Sequence, residues 1–266
     1  MPSIYAHEKF GAMVLENLPD SEKEIIRKYS DEYRIGLQGP DFLFFYHPLF
    51  KNKISKMGKY YHRMDCYQFM EQALDVVRTY GKDSPQYSYI LGYICHFSLD
   101  SSCHPYVAEA MVETGCGHAE IEGDFEQLLL MHDRYVPHKY PSAELVPTGQ
   151  KIVEAMQPFY VKLTLEEIGK AMEWMKKMKE ILFAPGFLKR AGLDMIIYGS
   201  FQHKKLKGHV MLPRPNKKCR KQVKRLYRIL KKTVPKGVEL IDNFSLACEG
   251  GMLSEEFHKD FYGRKV

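Results

Sequence analysis

Three side chains able to bind a metal ion recur every fourth residue in the segment His96-Phe97-Ser98-Leu99-Asp100-Ser101-Ser102-Cys103-His104. On an α-helix each step of four residues advances about 40° around the axis and about 6 Å along it, so all three project from one face. His96 and His104 would lie about 12 Å apart, too far to share one ion easily. Asp100, between them, could bridge two ions through its two oxygens. The spacing therefore predicts a helix that carries a multinuclear metal site.

Apolar residues at helical spacing extend this helix back to Asp83-Ser84-Pro85, a cap followed by proline at the first helical position. Pro105 disfavours the helical conformation at His104, so the helix is expected to end near that residue. A second helix is predicted from about Gly117 to His132.

Helical patterns cover most of the rest of the chain, and strand-like alternation is scarce. Two capping boxes are predicted, at Ser21–Glu24 and at Thr164–Glu167. An amphipathic helix is predicted over Glu166–Phe183. Two long passages are predicted to be non-helical, residues 36 to about 59 and residues 133 to about 148. Nothing resembles an interdomain linker. The sequence predicts an all-α, multi-helix bundle in one domain, residues 1–266.

The 266 residues have ordinary globular composition, with 45% hydrophobic and 27% charged residues and six cysteines without a CxxC pair. Buried free thiols are therefore expected. No apolar run is long enough to cross a membrane, and the first residues lack a secretory leader. These features predict a cytoplasmic protein, or a mature chain whose leader has been removed.

The net charge of +6 is uneven, because residues 203–240 hold 14 Lys and Arg against one acidic residue, Glu239. Within this segment an apolar stripe indicates a basic amphipathic helix. The basic run from Lys217 to Lys232 could contact an anionic membrane surface or a nucleic-acid backbone. It could equally be a solvated helix face.

Further ligand-type residues lie on both sides of the first segment. His118 and Glu122 are four residues apart on the second helix, and with His104 they could form a His₂Glu site. His7 and His62 lie upstream, as does Asp41, which stands among aromatic residues in Gly39-Pro40-Asp41-Phe42. A lone buried His or Asp is more often a hydrogen-bonded core residue, so the clustering carries the prediction.

The order His, Asp, His, H-x₃-D, His, H-x₃-E, with the "GPD-aromatic" segment and "HFSLDSSCHPYV", resembles the zinc-dependent phospholipase C and S1/P1 nuclease group. It looks most like the compact bacterial phospholipase C/D-type domain. The motifs fall within residues 4–130. The resemblance implies an all-α fold of that type and two, possibly three, zinc ions; manganese or iron would also suit the ligands.

The resemblance also implies a ligand set. His62, His96, Asp100 and Asp41 would hold one zinc, and His104, His118 and Glu122 a second; His7 and bridging Asp100 would hold a third. Asp41 would also orient the attacking water, as the catalytic residue. Two features depart from the family. The chain has no N-terminal tryptophan for the third ion, since its only tryptophan is Trp174, and His104 follows Asp100 with a gap of three residues rather than five. His47 could therefore substitute at some position.

Two or three divalent ions with three carboxylates leave the site net positive, which favours a phosphodiester substrate attacked by metal-activated water. The substrate could be a phospholipid head group, or a nucleic acid or nucleotide on the same metal core. A non-catalytic, metal-stabilised binding module is the third reading. Neighbouring aromatic residues could line the pocket mouth or simply pack in the core: Phe42, Phe44, Phe45, Tyr46, Tyr60 and Tyr61.

Overall fold

The computed structural model describes residues 4–48, 50–199 and 208–266. Within these ranges the chain is all-α, as predicted, and the one β feature is an isolated bridge between Lys259 and Lys265. The helices are α1 (Ile4–Glu16), α2 (Asp20–Lys28), α3 (Ser30–Gly36), α4 (Lys53–Arg63), α5 (Cys66–Tyr80), α6 (Pro85–Thr114), α7 (His118–His132), α8 (Gln150–Met156), α9 (Leu165–Leu182), α10 (Phe187–Gly199) and α11 (Arg220–Cys248).

Helix α6 forms the centre of the bundle. It is 30 residues long, and its residues from Gln86 to Ser101 are all buried. A helix that is apolar all round must be covered on every side, and α6 packs against α3 on one side and against α11 on another. The α3 contact is a backbone contact, because a side chain at either Gly36 or Gly92 would overlap the main chain of the other helix.

Two of the predicted helix starts are confirmed. Ser84 caps α6 by accepting a hydrogen bond from Tyr87 N at 3.2 Å, and Pro85 follows at the first position. Thr164 and Glu167 form the predicted capping box of α9. The predicted box at Ser21 is wrong, because α2 begins one residue earlier, at Asp20, after Pro19. Glu22, within this segment, instead accepts a hydrogen bond from Ser245 Oγ on α11 at 3.1 Å.

The predicted end of α6 near His104 is also wrong, because the helix continues through Pro105 to Thr114. Proline removes one backbone donor and crowds the preceding turn. Beyond it, however, Tyr106, Val107 and Ala110 are all buried. Burial of three apolar side chains outweighs one lost hydrogen bond, so His104 stays on the same helical face as Asp100.

The first predicted non-helical passage is partly helical. It contains the 3-10 segment Gly39–Phe45 and the start of α4, which Asn52 caps together with Ser55. The predicted free thiols are confirmed: all six cysteines are unpaired, and all but Cys248 are buried. No helix of the described residues combines the length and the apolar composition needed to cross a bilayer.

Candidate metal centre

Asp100 lies between three imidazoles at the middle of α6. Its Oδ1 is 3.3 Å from Nε2 of His7, on α1, and its Oδ2 is 3.3 Å from Nε2 of His96. The same Oδ2 is 3.7 Å from Nδ1 of His104, one turn further along. The His7 and His96 rings are stacked, with centroids 4.2 Å apart. One carboxylate therefore faces ligand-type nitrogens on both sides, as the i, i+4, i+8 spacing predicted.

A second group lies beside His96. The 3-10 segment Gly39–Phe45 presents Asp41, whose Oδ1 is 2.9 Å from Nε2 of His62 on α4. Asp41, His62 and His96 each offer one ligand atom, and these atoms all lie within 4.8 Å of one another.

The third group joins the C-terminal half of α6 to the first turns of α7. Glu122 Oε1 lies 3.4 Å from Nε2 of His104 and 2.8 Å from Nε2 of His118. His118 and Glu122 share one face of α7, as their spacing predicted. The structure thus brings together all eight residues named from the sequence, in three groups that could each hold a metal ion.

Three of the imidazoles are oriented by backbone carbonyls. His62 Nδ1 donates to Gly58 O at 2.7 Å, His96 Nδ1 to Leu37 O at 3.0 Å, and His104 Nδ1 to Phe261 O at 2.7 Å. A carbonyl only accepts, so each Nδ1 carries a proton, and in the neutral ring the Nε2 lone pair faces the group. This is the arrangement that fixes the tautomer of metal-binding histidines.

The polar atoms that face inward fit a metal ion. His96 Nε2, His104 Nε2 and Asp100 Oδ2 are buried and have no hydrogen-bond partner among the described residues. Such atoms cost several kcal/mol each if they stay unpaired. When the proton of the neutral His62 ring is on Nδ1, its Nε2 is an acceptor. This atom faces another acceptor, Asp41 Oδ1, at 2.9 Å, so a positive charge is needed near the pair. Divalent ions meet both needs, and nitrogen with carboxylate oxygen is a donor set that zinc accepts.

The carboxylates are anionic. Burial alone would raise the pKa of Asp100, but His104 and His96 lower it well below its usual range. Burial likewise raises the pKa of Asp41 and of Glu122, but nearby positive charges, those of imidazoles among them, lower both below their usual range. The pKa of His7 is lowered by burial and by His96, which favours the neutral, metal-binding ring.

The centre opens on one side. Seven of the eight residues are buried, whereas the His118 side chain is 36% exposed. Beside it, the ring of Tyr262 stacks on His104 with centroids 5.2 Å apart. A substrate would therefore approach along the edge formed by His118 and Tyr262.

Comparison with protein families agrees with this geometry. A family model described as zinc-dependent phospholipase C matches residues 6–168, more than half of the chain and the whole span of the eight residues. The chain belongs to the zinc-dependent phospholipase C family. Its members hydrolyse phosphodiesters, and this chain is a hydrolase of that class. Neither the curated proteins nor the solved structures gave a significant match.

Part of this phospholipase C-family centre lies outside the matched residues. The closing segment, residues 258–264, crosses the end of α4 and the middle of α6. Phe261 N donates to His62 O at 3.2 Å, and its carbonyl is the partner of His104. Its ring lies 5.4 Å from that of His96. Sequence reasoning missed this residue, because a contributing backbone carbonyl leaves no mark on the side-chain pattern.

Other sequence expectations fall away from the centre. His47 belongs to none of the three groups; its ring packs near Tyr46 and Trp174. Of the aromatic residues proposed for the pocket mouth, Phe42, Phe45 and Tyr61 are core residues, whereas Phe44 lies 4.9 Å from the ring of His62. Four further histidines belong to no metal group among the described residues: His132, His138, His209 and His258. His203 lies outside the described residues.

Proposed function

We propose that this chain is a phospholipase C that cleaves the phosphodiester bond of a membrane phospholipid and uses zinc held by the eight residues. The observation that carries the proposal is the grouping of five imidazoles with three carboxylates, Asp100 among them, in which carbonyl partners orient three of the rings. A centre so arranged and open on one side favours catalysis over a closed structural site.

The tautomers support one proposed assignment of the ligands to ions. Because His96 Nδ1 is engaged with Leu37, only its Nε2 can bind, and one nitrogen serves one ion. We assign His96 to the first ion, with His62, Asp41 and Asp100. His104, His118 and Glu122 hold the second. The described residues then leave His7 and Asp100 for a third, which makes it the weakest site.

Zinc bound there would supply Lewis-acid activation of water and of the phosphoryl group. The chain's own groups position the reactants. Asp41, held anionic by nearby positive charge that includes the His62 ring, accepts the proton of the attacking water at a carboxylate oxygen and orients that water. The edge at His118 admits the phosphate, and the buried rings behind it exclude bulk water.

The basic face of α11 supports a membrane substrate. Between residues 217 and 232 the buried stripe of Val223, Leu226 and Leu230 faces the bundle, while nine Lys and Arg side chains are exposed. We propose that this face attracts anionic lipid, an interaction that salt would weaken.

The test compares hydrolysis of bis-p-nitrophenyl phosphate by Asp41→Asn and by Asp65→Asn. Asp65 pairs with His258 at 2.7 Å outside the three groups, so it offers a matched His–carboxylate pair. We expect Asp41→Asn to lose at least about a hundredfold in rate, the lower range for a general base, and Asp65→Asn to stay within a few-fold. Hydrolysis that survives metal chelation would refute the proposal.

Substrate class needs a second assay. Phosphatidylcholine vesicles and single-stranded DNA, offered in parallel, should give head-group release from the first and no cleavage of the second. Cleavage of DNA alone would make the chain a nuclease on the same metal core. Elemental analysis of the purified chain counts the ions, with two per chain expected and a third lost first on dialysis.

A further inference from the structure

Helix α10 presents large apolar side chains to solvent. Phe187, Leu188, Met195 and Ile196 are 73%, 84%, 74% and 69% exposed. At 100° per residue these four lie within about half of the helix circumference. Leu193 and Ile197, which pack inward, lie on the other half. Contiguous exposed apolar surface of this kind marks a contact with a membrane or another molecule.

Few buried side chains attach α10 to the rest of the bundle. Ile197 forms a small cluster with Ala184 and Val210, edged by Leu182 and Leu193 and separate from the main core. On the outer side, a side chain at Gly192 would meet no atom of the described residues within 4 Å. The outer face is therefore not needed to fix α10 in place.

The charge of the sequence that flanks α10 identifies the occupant. Residues 176–218 contain eleven Lys and Arg and two acidic residues. Lys189 Nζ donates to Glu180 O at 3.2 Å and Arg190 Nη1 to Ala184 O at 2.8 Å, which holds both cations at the first turn, beside the apolar face. A second copy of this chain would bring the same positive charge against it. Nucleic acid offers little to four exposed aliphatic and aromatic side chains.

We propose that α10 lies in the interface of an anionic lipid bilayer, with this apolar face inserted among the acyl chains and the cations at the head groups. Amphipathic helices with basic flanks bind bilayers in this way. The apolar face is distinct from the basic face of α11, which contributes charge alone.

The same contact holds the metal centre near the membrane. Gly208 packs its backbone against Ala119 and Gly123 on α7, the helix that carries His118 and Glu122. Two residues on, Val210 belongs to the cluster that holds α10. Through Val210 and Gly208, the inserted helix is therefore connected to α7, whose His118 forms the exposed edge of the centre.

The test measures binding, not turnover. The full chain is sedimented with phosphatidylcholine vesicles that contain phosphatidylglycerol, and with vesicles of phosphatidylcholine alone. Leu188→Gln with Ile196→Gln should lower the partition coefficient onto the anionic vesicles by about tenfold for each side chain. Val112→Gln with Met252→Gln is the matched control, because both residues are 87% exposed on other elements. It should bind as the unchanged chain does.

Two further readouts separate this inference from the proposed function. Both variant pairs should melt at the same temperature and hydrolyse bis-p-nitrophenyl phosphate at the same rate, since none of the four residues touches the centre. A chain that binds anionic vesicles through α10 yet hydrolyses no phosphodiester would leave this inference standing and overturn the proposed function.

Three results would overturn the inference. The first is that the chain sediments with vesicles of neither composition. The second is that Leu188→Gln with Ile196→Gln sediments with anionic vesicles as the unchanged chain does. Sedimentation velocity could also reveal a dimer that the same variant dissociates, which would assign the face to a second copy instead.

Discussion

Gly39 shapes the metal centre without contributing a ligand. Its φ of +50° lies in the left-handed region, and a side chain there would overlap the ring of His96. The absence of a Cβ lets the turn before Asp41 pass directly over an imidazole whose other nitrogen is bound to Leu37. The "GPD" sequence is thus explained by the close approach of backbone and ligand.

Gly39→Ala should destabilise the chain and lower its zinc content. The control is Gly115→Ala, because Gly115 has a φ of +68° in the left-handed region but open space around its Cβ position. Both changes carry the left-handed strain of about 1 kcal/mol, and Gly39→Ala adds an overlap worth about 2 kcal/mol more. Urea unfolding with elemental analysis measures both; equal losses for the two variants would mean that His96 is not crowded.

At this scale the sequence predicted the candidate side chains well and their supports poorly. Spacing and order alone named His96, Asp100 and His104, because a helix converts intervals of four into one face. Their carbonyl partners, Leu37 and Phe261 among them, could not be read from the sequence, since every residue has a carbonyl and only the folded chain decides which one is near. The assignment of ions to ligands stays a prediction.

The closing segment is the element that links the centre to the last described residues. Asp260 holds its shape: Oδ1 accepts from Tyr262 N and Arg264 N, each at 2.9 Å, and Oδ2 accepts from Arg264 Nε at 2.8 Å. This buried carboxylate therefore keeps the neighbouring Phe261 carbonyl in place for His104.

Asp260→Ala should weaken zinc binding although Asp260 touches no ligand. Loss of a partner that orients a ligand commonly costs tenfold to a hundredfold in metal affinity. Glu256→Ala is the control, since Glu256 bonds Lys236 and Lys259 at the surface of the same region. Competition with a zinc chelator measures the affinities. A loss confined to melting temperature would mean that the segment is structural only.

Among the elements, helix starts were predicted where a cap side chain made them, at Ser84 and Thr164. The end of α6 was not, because Pro105 is a local signal and the burial of the residues after it is a tertiary one. Local rules fail where long-range packing outweighs them. The 3-10 segment around Asp41 was missed for the same reason.

For the molecule as a whole, zinc should be a main source of stability. Buried, inward-facing atoms such as His96 Nε2 and Asp100 Oδ2 stay unpaired within the described protein. At free zinc a thousand times its Kd, binding adds about 4 kcal/mol. Chelation should therefore lower Tm by about 10 °C for a chain of this size.

The size of that shift should depend on pH. Burial lowers the pKa of His104, but Asp100 and Glu122 raise it to about 9 in the metal-free protein. The protonated ring stabilises the metal-free state fully below about pH 6.5, and this stability is lost as pH rises through 9. Zinc must displace the proton, so the difference in Tm with and without zinc should grow from pH 6.5 to 9. Calorimetry measures it, and a constant difference would contradict the role of His104 as a ligand.

The closing segment also bears on the order in which the protein assembles. The bond between His104 and Phe261 joins positions 157 residues apart, whereas His104 and Glu122 are close in the chain. Contacts between distant parts of a chain form slowly, because the intervening loop must first be closed. During folding, His104 and Glu122 would thus come together early, whereas the bond that orients His104 would form late. Tight metal binding would therefore develop only in the last steps of folding.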